Sequence, residues 1–474
     1  MKKIIINLFL SFTVLIAVTS SCTDDIMDEI DANPNSPLDV PLNLLLPQVI
    51  AETAFAINGT DLAWYSSVFV EHTTGVHGQL EEADKRTGIN TTIVANSWES
   101  IYASALQDIQ IIINKGSDGG EEEGNWAYVG IAKVLKAYIL GITTDAWGRI
   151  PYTEALQGSA NTQPAFDSQE TIYQELQNIL DGAIADLAKE SLSDPGAVDF
   201  IYEGDTDLWT KAAYALKARF HNRLSNINPQ QSATLALDAA SKSFESPEES
   251  MIFTSFNTDA TGQHPWFQEL NDRSHHAVST TIDGILVGLN DPRREHFFGT
   301  VGGEIVPAPN GTAIADQGGD IYSRASSNVV YATAPMPLMT YDELKFIEAE
   351  ANLRLDQDQE AYDAYLDAVE SAMGRGGIAE EDVTEYLDQN SIAPGAEALD
   401  QEDILLQKYI SFWLFQPIEA YNDYRRTGIP TMNNTVSPPP ARFPYSQDEI
   451  AANPANIPDV ALTNGVWWAD GSDD

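Results

Sequence analysis

An all-α fold of antiparallel helix pairs, with a loop-rich face built onto it, is what this chain predicts. Apolar residues recur every three to four positions through a series of long segments, and these segments fall into neighbouring pairs. Strand-like, Pro- and Gly-rich sequence is concentrated at 253–337 and 428–474. With 43% hydrophobic residues in 474, the chain has material for a sizeable core.

The amino-terminal end is read separately. Lys2 and Lys3 precede an apolar run from Ile4 to Val18, and the small residues Thr19, Ser20 and Ser21 follow it. That is the layout of a signal peptide over 1–21. The run is shorter than a spanning helix requires, and no second apolar stretch approaches that length, so the rest of the chain is expected to be soluble. Cys22 is the single cysteine. It therefore has no disulfide partner and no thiolate set for zinc. A cysteine directly after such a leader resembles the lipobox of bacterial lipoproteins, although Thr19 stands where those have leucine. Each buried acyl methylene contributes ~0.8 kcal/mol, and stable anchoring takes more than one chain. Residues 22–42, with Asp24, Asp25, Asp28 and Glu29 followed by Asn and Pro, read as a lipidated, acidic tether. The acidic start also resembles the surface-export tag of some Gram-negative lipoproteins.

A single domain is expected over 43–474. Trp98, Ile101, Tyr102, Ala105, Leu106, Ile109 and Ile112 share a helical face that stops at Gly116, with Ser97 as its cap. Segments 125–148 and 168–189, the latter opened by a Ser168 cap, make a first helix pair. Segments 206–227 and 232–244 make a second, and 340–355 with 358–377 a third. A last helix over 403–416 is ended by Pro417. Small residues at packing positions, among them Ala349, Ala351, Ala361, Ala364 and Ala368, let such pairs approach closely, as in tetratricopeptide-like hairpins.

Charge and motifs exclude several functions. The formal charge of -46, from 71 acidic against 25 basic residues, repels nucleic-acid backbones, so no nucleic-acid partner is expected. The chain contains no HExxH, GxSxG or GxxxxGK[ST] pattern. His72 and His77 lack zinc spacing. No metal, cofactor or catalytic residue is expected, and a glycosidase carboxylate pair has no distinctive constellation behind it among so many acids.

The stretches "TDAWGRIPYTEAL" (144–156), "LNDPRR" (289–294), "MTYDELKFIEAEANLR" (339–354), "EAYNDYRRTGIP" (419–430), "RFPYSQDEIAAN" and the terminal "VWWADG" run in order along the chain. Together they resemble SusD/RagB-type nutrient-binding outer-membrane lipoproteins. The resemblance implies an α/α superhelix of tetratricopeptide-like pairs with a ligand face. It also implies a lipid-anchored position on the surface of a Gram-negative outer membrane, and a SusC-like TonB-dependent transporter barrel as partner. Such proteins capture oligosaccharides, or sometimes peptides, for import without catalysis. A secreted or surface glycoside hydrolase is the alternative from another class. The residues of the shared stretches read as structural: Trp147 and Tyr152 staple a turn at Gly148 and Pro151, and Asp423 pairs with Arg425 and Arg426.

A sugar site needs flat aromatic faces and planar polar groups, usually on loops. "TGQHPWFQELNDRSHH" offers Trp266 with Asn271, Asp272 and Arg273. "LAWYSSVFVEHTTGVHGQ" offers Trp64 with His72, His77 and Gln79. Tyr322 and Arg324 complete the expected surface, whereas Trp98, Trp147 and Trp209 are expected in the core.

Overall fold

The computed structural model describes residues 40–470; the leader, Cys22 and nearly all of the tether lie outside the described residues. The predicted all-helical architecture is observed. The main helices are α1 Leu42–Glu52, α2 Asp61–Phe69, α3 Leu106–Gly116 and α4 Trp126–Trp147. They continue as α5 Gln169–Leu187, α6 Thr206–Arg223, α7 Pro229–Ala240 and α8 Pro265–Asp272. The last four are α9 Tyr341–Arg354, α10 Asp358–Arg375, α11 Gln401–Ser411 and α12 Pro417–Thr427.

The three expected pairs form: α4 packs on α5, α6 on α7 and α9 on α10. Local chemistry starts each pair where the sequence places it. The Ser168 hydroxyl accepts from the Thr171 N–H, Asp205 caps α6 and Thr340 caps α9. Ala349 of α9 and Ala361, Ala364 and Ala368 of α10 share one buried cluster, which lets the two backbones approach closely, while Ala351 is buried in the main core. Trp147 is fully buried and donates its indole N–H to the Pro444 carbonyl, which holds the turn at Gly148 against the C-terminal segment. Gly148 has φ +79°, a conformation that a Cβ would strain.

Three elements differ from expectation. Ser97 is buried inside a short helix, Ala95–Glu99, and caps nothing; a π-helical stretch, Ser100–Ala105, then joins it to α3. Pro417 opens α12 instead of closing the previous helix, which stops at Ser411, because a proline at the first helical position loses no hydrogen bond. Helix α4 is long and apolar enough to cross a membrane, yet its apolar window is 89% buried by neighbouring helices. It is the core helix of the first pair, and Lys133 and Lys136 interrupt its apolar run.

Strands are few among the described residues: β1 Thr73–Gly75, β2 Ile150–Pro151, β3 Phe166–Asp167, β4 Met251–Phe253, β5 His276–Val278 and β6 Met336–Met339. They form three antiparallel ribbons, β1–β5, β2–β3 and β4–β6. The first of these ribbons positions the candidate site.

Candidate functional site

In the β1–β5 ribbon Gly75 lies opposite His276, and the Val76 N–H donates to the His275 carbonyl at 2.8 Å. Two segments about two hundred residues apart in sequence thereby become neighbours. At Gly75 a Cβ would stand 1.9 Å from the Leu80 carbonyl oxygen, so only glycine lets the chain fold back here. On the other strand, α8 starts with Pro265 and ends in a tight turn. The Arg273 and Ser274 N–H groups both donate to the Glu269 carbonyl, and Ser274 sits at φ +56°. The turn brings the His275 N–H to Glu269 Oε1 at 2.9 Å.

These elements enclose a cleft of about 230 Å³ lined by Asp61, Trp64, Gln79, Glu269, Arg273 and His275. Trp64 is half-buried and packs against the core, while Gln79 and Arg273 are exposed. Several polar groups here lack partners. Glu269 Oε2 and Trp64 Nε1 are buried and accept or donate no hydrogen bond. The Arg273 guanidinium lies in no ion pair among the described residues, although it acts at longer range on Asp61 and Glu269.

Burial dominates the electrostatics of the cleft. It pushes the Glu269 carboxyl up to about 7, against the opposing pull of the His275 N–H, Arg324 and Arg273. Asp61 is also raised by burial, opposed by the Asn96 amide at 3.1 Å and by Arg273. His275 is lowered by burial, then by His77, whose ring centroid lies 4.8 Å away. A ligand rich in hydroxyls could meet a carboxylate acceptor, an indole N–H, a guanidinium and a primary amide within one cleft.

The two segments singled out from sequence thus meet, with changed membership. Trp64, Gln79 and Arg273 line the cleft, and His77 adjoins it through His275. Asn271 and Asp272 are exposed on α8, bonded to each other at 2.8 Å, and do not line it. Arg324 is a brace: it donates to Ser274 Oγ at 3.0 Å and pairs with Asp316 at 3.4 Å.

Three expected residues are corrected to core positions. Trp266 is 1% exposed because α8 turns it inward onto His276, ring centroids 5.0 Å apart. His72 is fully buried; its Nε2 bonds the Tyr409 carbonyl at 2.9 Å, and burial drops it to about 3. Tyr322 is buried among the loops, its N–H donating to Asp316 Oδ2 at 2.9 Å. Sequence reading missed Asp61, Glu269 and His275. The available signal was Glu269 itself, three residues after Trp266 and so on the same, buried face of α8.

A SusD-like family model, described as starch-binding and associating with the outer membrane, matches residues 34–446. A SusD/RagB family protein of Bacteroides thetaiotaomicron superposes with a TM-score of 0.81 at 32% identity, over 92% of this chain and 100% of that one. A chitin-binding SusD homologue of Flavobacterium johnsoniae superposes with a TM-score of 0.75 at 21% identity, over 90% and 98% of the two chains; that identity speaks for the fold alone. No curated protein matches the sequence.

Proposed function

The chain belongs to the SusD-like family of starch-binding proteins associating with the outer membrane, and from that premise we propose that it is a non-catalytic surface lipoprotein that captures oligosaccharides. The observation that supports this most directly is the cleft: an aromatic wall at Trp64, the buried and unmatched atoms Trp64 Nε1 and Glu269 Oε2, and the exposed Arg273 guanidinium at its edge. Unpaired buried polar atoms cost free energy until a ligand satisfies them, which favours a hydroxyl-rich guest over an apolar one. The volume, about 230 Å³, lies below the range usual for small-molecule sites, roughly 300–1,000 Å³, and suits one sugar ring rather than a chain segment.

The remaining parts of the reading rest on sequence and family. Acyl chains on Cys22 would hold the protein at the outer membrane of a Gram-negative cell, and a SusC-like TonB-dependent barrel would receive the glycan. Chitin binding in the Flavobacterium homologue makes N-acetylated oligosaccharides a sensible part of any ligand panel.

The test is calorimetric binding of the chain lacking residues 1–22 to neutral oligosaccharides, with Trp64→Ala and Arg273→Ala alongside and the products checked for cleavage. Each substitution is expected to weaken binding about tenfold or more, the loss of one good polar or aromatic contact. Binding unaffected by both would remove the cleft from the proposal. Cleaved product would remove its non-catalytic character.

A further inference from the structure

A larger cavity, about 430 Å³, opens between α3, α4, α5 and the loop that follows β2. It shares no lining residue with the cleft. Ala155 and Leu156 give it apolar surface above the buried Leu106 and Leu140, and Tyr102 and Tyr152 give it aromatic surface. Lys136 and Glu175 are its charged groups.

Lys136 is unusual in this chain. It is half-buried on α4, donates to Gln110 Oε1 at 3.0 Å, and lies 5.6 Å from the centroid of the Tyr152 ring. No carboxylate of the described residues lies within ion-pair distance of it, whereas every other described lysine has one. That is a notable exception in a protein with 71 carboxylates. Glu175 is engaged elsewhere, accepting from Asn178 at 3.1 Å and from the Tyr152 hydroxyl at 3.4 Å. Burial, then Lys133, draws Lys136 below the ordinary lysine range, with Glu175 acting in the other direction. The ammonium has lost water without gaining a counter-ion.

Two backbone departures border the same cavity. Leu156 adopts φ +60°, left-handed for a branched side chain, and Tyr102 lies on the π-helical stretch Ser100–Ala105. Both kinds of irregularity cluster at functional sites in proteins generally. The volume also falls within the range of small-molecule sites, roughly 300–1,000 Å³.

We propose that this cavity is a second binding site, for an organic carboxylate carried on an apolar body. Lys136 Nζ pairs the carboxylate, and Leu156, Tyr102 and Tyr152 cover the body. The C-terminal residue of a peptide and a free aromatic acid both present this chemistry.

The test uses the chain lacking residues 1–22 and four probes: N-acetylphenylalanine, its amide, 3-phenylpropanoate and galacturonate. Both apolar acids are expected to bind at least about tenfold more tightly than the amide, the equivalent of one charge-assisted hydrogen bond. Lys136→Met should abolish that difference without lowering the unfolding temperature. Methyl NMR shifts of Leu140 and Leu156 in the unaltered protein read occupancy independently of the variant. Tighter binding of N-acetylphenylalanine assigns the site to peptide ends, and tighter binding of 3-phenylpropanoate assigns it to free acids. Equal binding of acid and amide, binding of galacturonate as tight as that of the apolar acids, no binding at millimolar concentration, or full acid binding by Lys136→Met would each overturn the proposal.

Discussion

The helical body and the cleft both bury carboxylates, and they treat them in opposite ways. Between α4, α6, α9, α11 and α12 the acids Asp145, Glu343, Glu350, Glu419 and Asp423 are buried, and each meets a cation. Arg219 grips Glu343 at 2.6 Å, Arg223 reaches Glu419 and Asp145, and Arg426 bridges Glu350 at 2.6 Å and Asp423 at 2.9 Å. Lys408 lies 2.9 Å from Asp423 as well. In the cleft, Glu269 is as deeply buried but receives only one backbone N–H. The consequence is chemical. Although burial works against it, Asp423 is held far below the ordinary carboxylate range by Lys408, Arg426 and Arg223, whereas Glu269 rises to about 7. Partners outweigh burial at Asp423, Glu350 and Glu419, whereas burial still raises Asp145 and Glu343 against the pull of Arg223 and Arg219. One region spends its polar groups on the fold, and the other leaves them open to a ligand.

Breaking the network should have the largest effect. Glu419→Ala removes the carboxylate nearest Arg223 and one of the two that face Arg219, and should cost about 3–5 kcal/mol in denaturant unfolding. A loss below about 1 kcal/mol would mean that water or rearrangement already screens these charges. A similar contrast holds between two tryptophans. Trp266→Ala should cost about 3–5 kcal/mol of stability as a core truncation, whereas Trp64→Ala should cost less stability and more glycan affinity.

Glu269→Gln tests the other side of the comparison through pH. A raised carboxyl favours the folded state only while protonated, so its penalty is absent below the ordinary glutamate range, grows as pH rises through it, and is complete above about 7. Gln carries no such penalty. At pH 8 the variant should therefore be more stable than the parent by up to about 3 kcal/mol, and at pH 4 the two should match. Equal unfolding temperatures at both pH values would show that Glu269 is not desolvated in the free protein. Asp423 has the opposite sign: its contribution is present at neutral pH and is lost only as pH falls through its depressed value. The smallest expected effect is local. Ser168→Ala removes the cap of α5 and should cost about 1 kcal/mol in the same unfolding assay.

Much of the body was legible because its determinants are local. Apolar spacing of three and four, Ser168 as a cap, and the alanines of α9 and α10 act within a few residues of themselves and do what their spacing implies, whereas Ser97, the other cap read from sequence, caps nothing. Of the two pairings expected of Asp423, the one with Arg426 forms, since three positions on a helix are one turn, whereas Arg425 turns away to donate to the Asp145 carbonyl at 2.7 Å. The site was only half legible. Trp64, Gln79 and Arg273 were found by residue type, but the same criterion selected Trp266, His72 and Tyr322, which are buried. Residue type shows what a side chain can bind, not whether it is turned outward.

The sequence by itself therefore determined the helix pairs, the Ser168 cap and the family to which the chain belongs, because periodicity and ordered motifs are properties of neighbouring residues. Only the tertiary structure decided the cleft. The β1–β5 ribbon sets residues 61–80 against 264–278, keeps Trp64 on the cleft wall while Trp266 is buried, and leaves Glu269 buried with one oxygen unmatched. That outcome depends on which distant backbone completes a two-stranded ribbon, and on which side chains the contact excludes from water; neither is a property of any single segment.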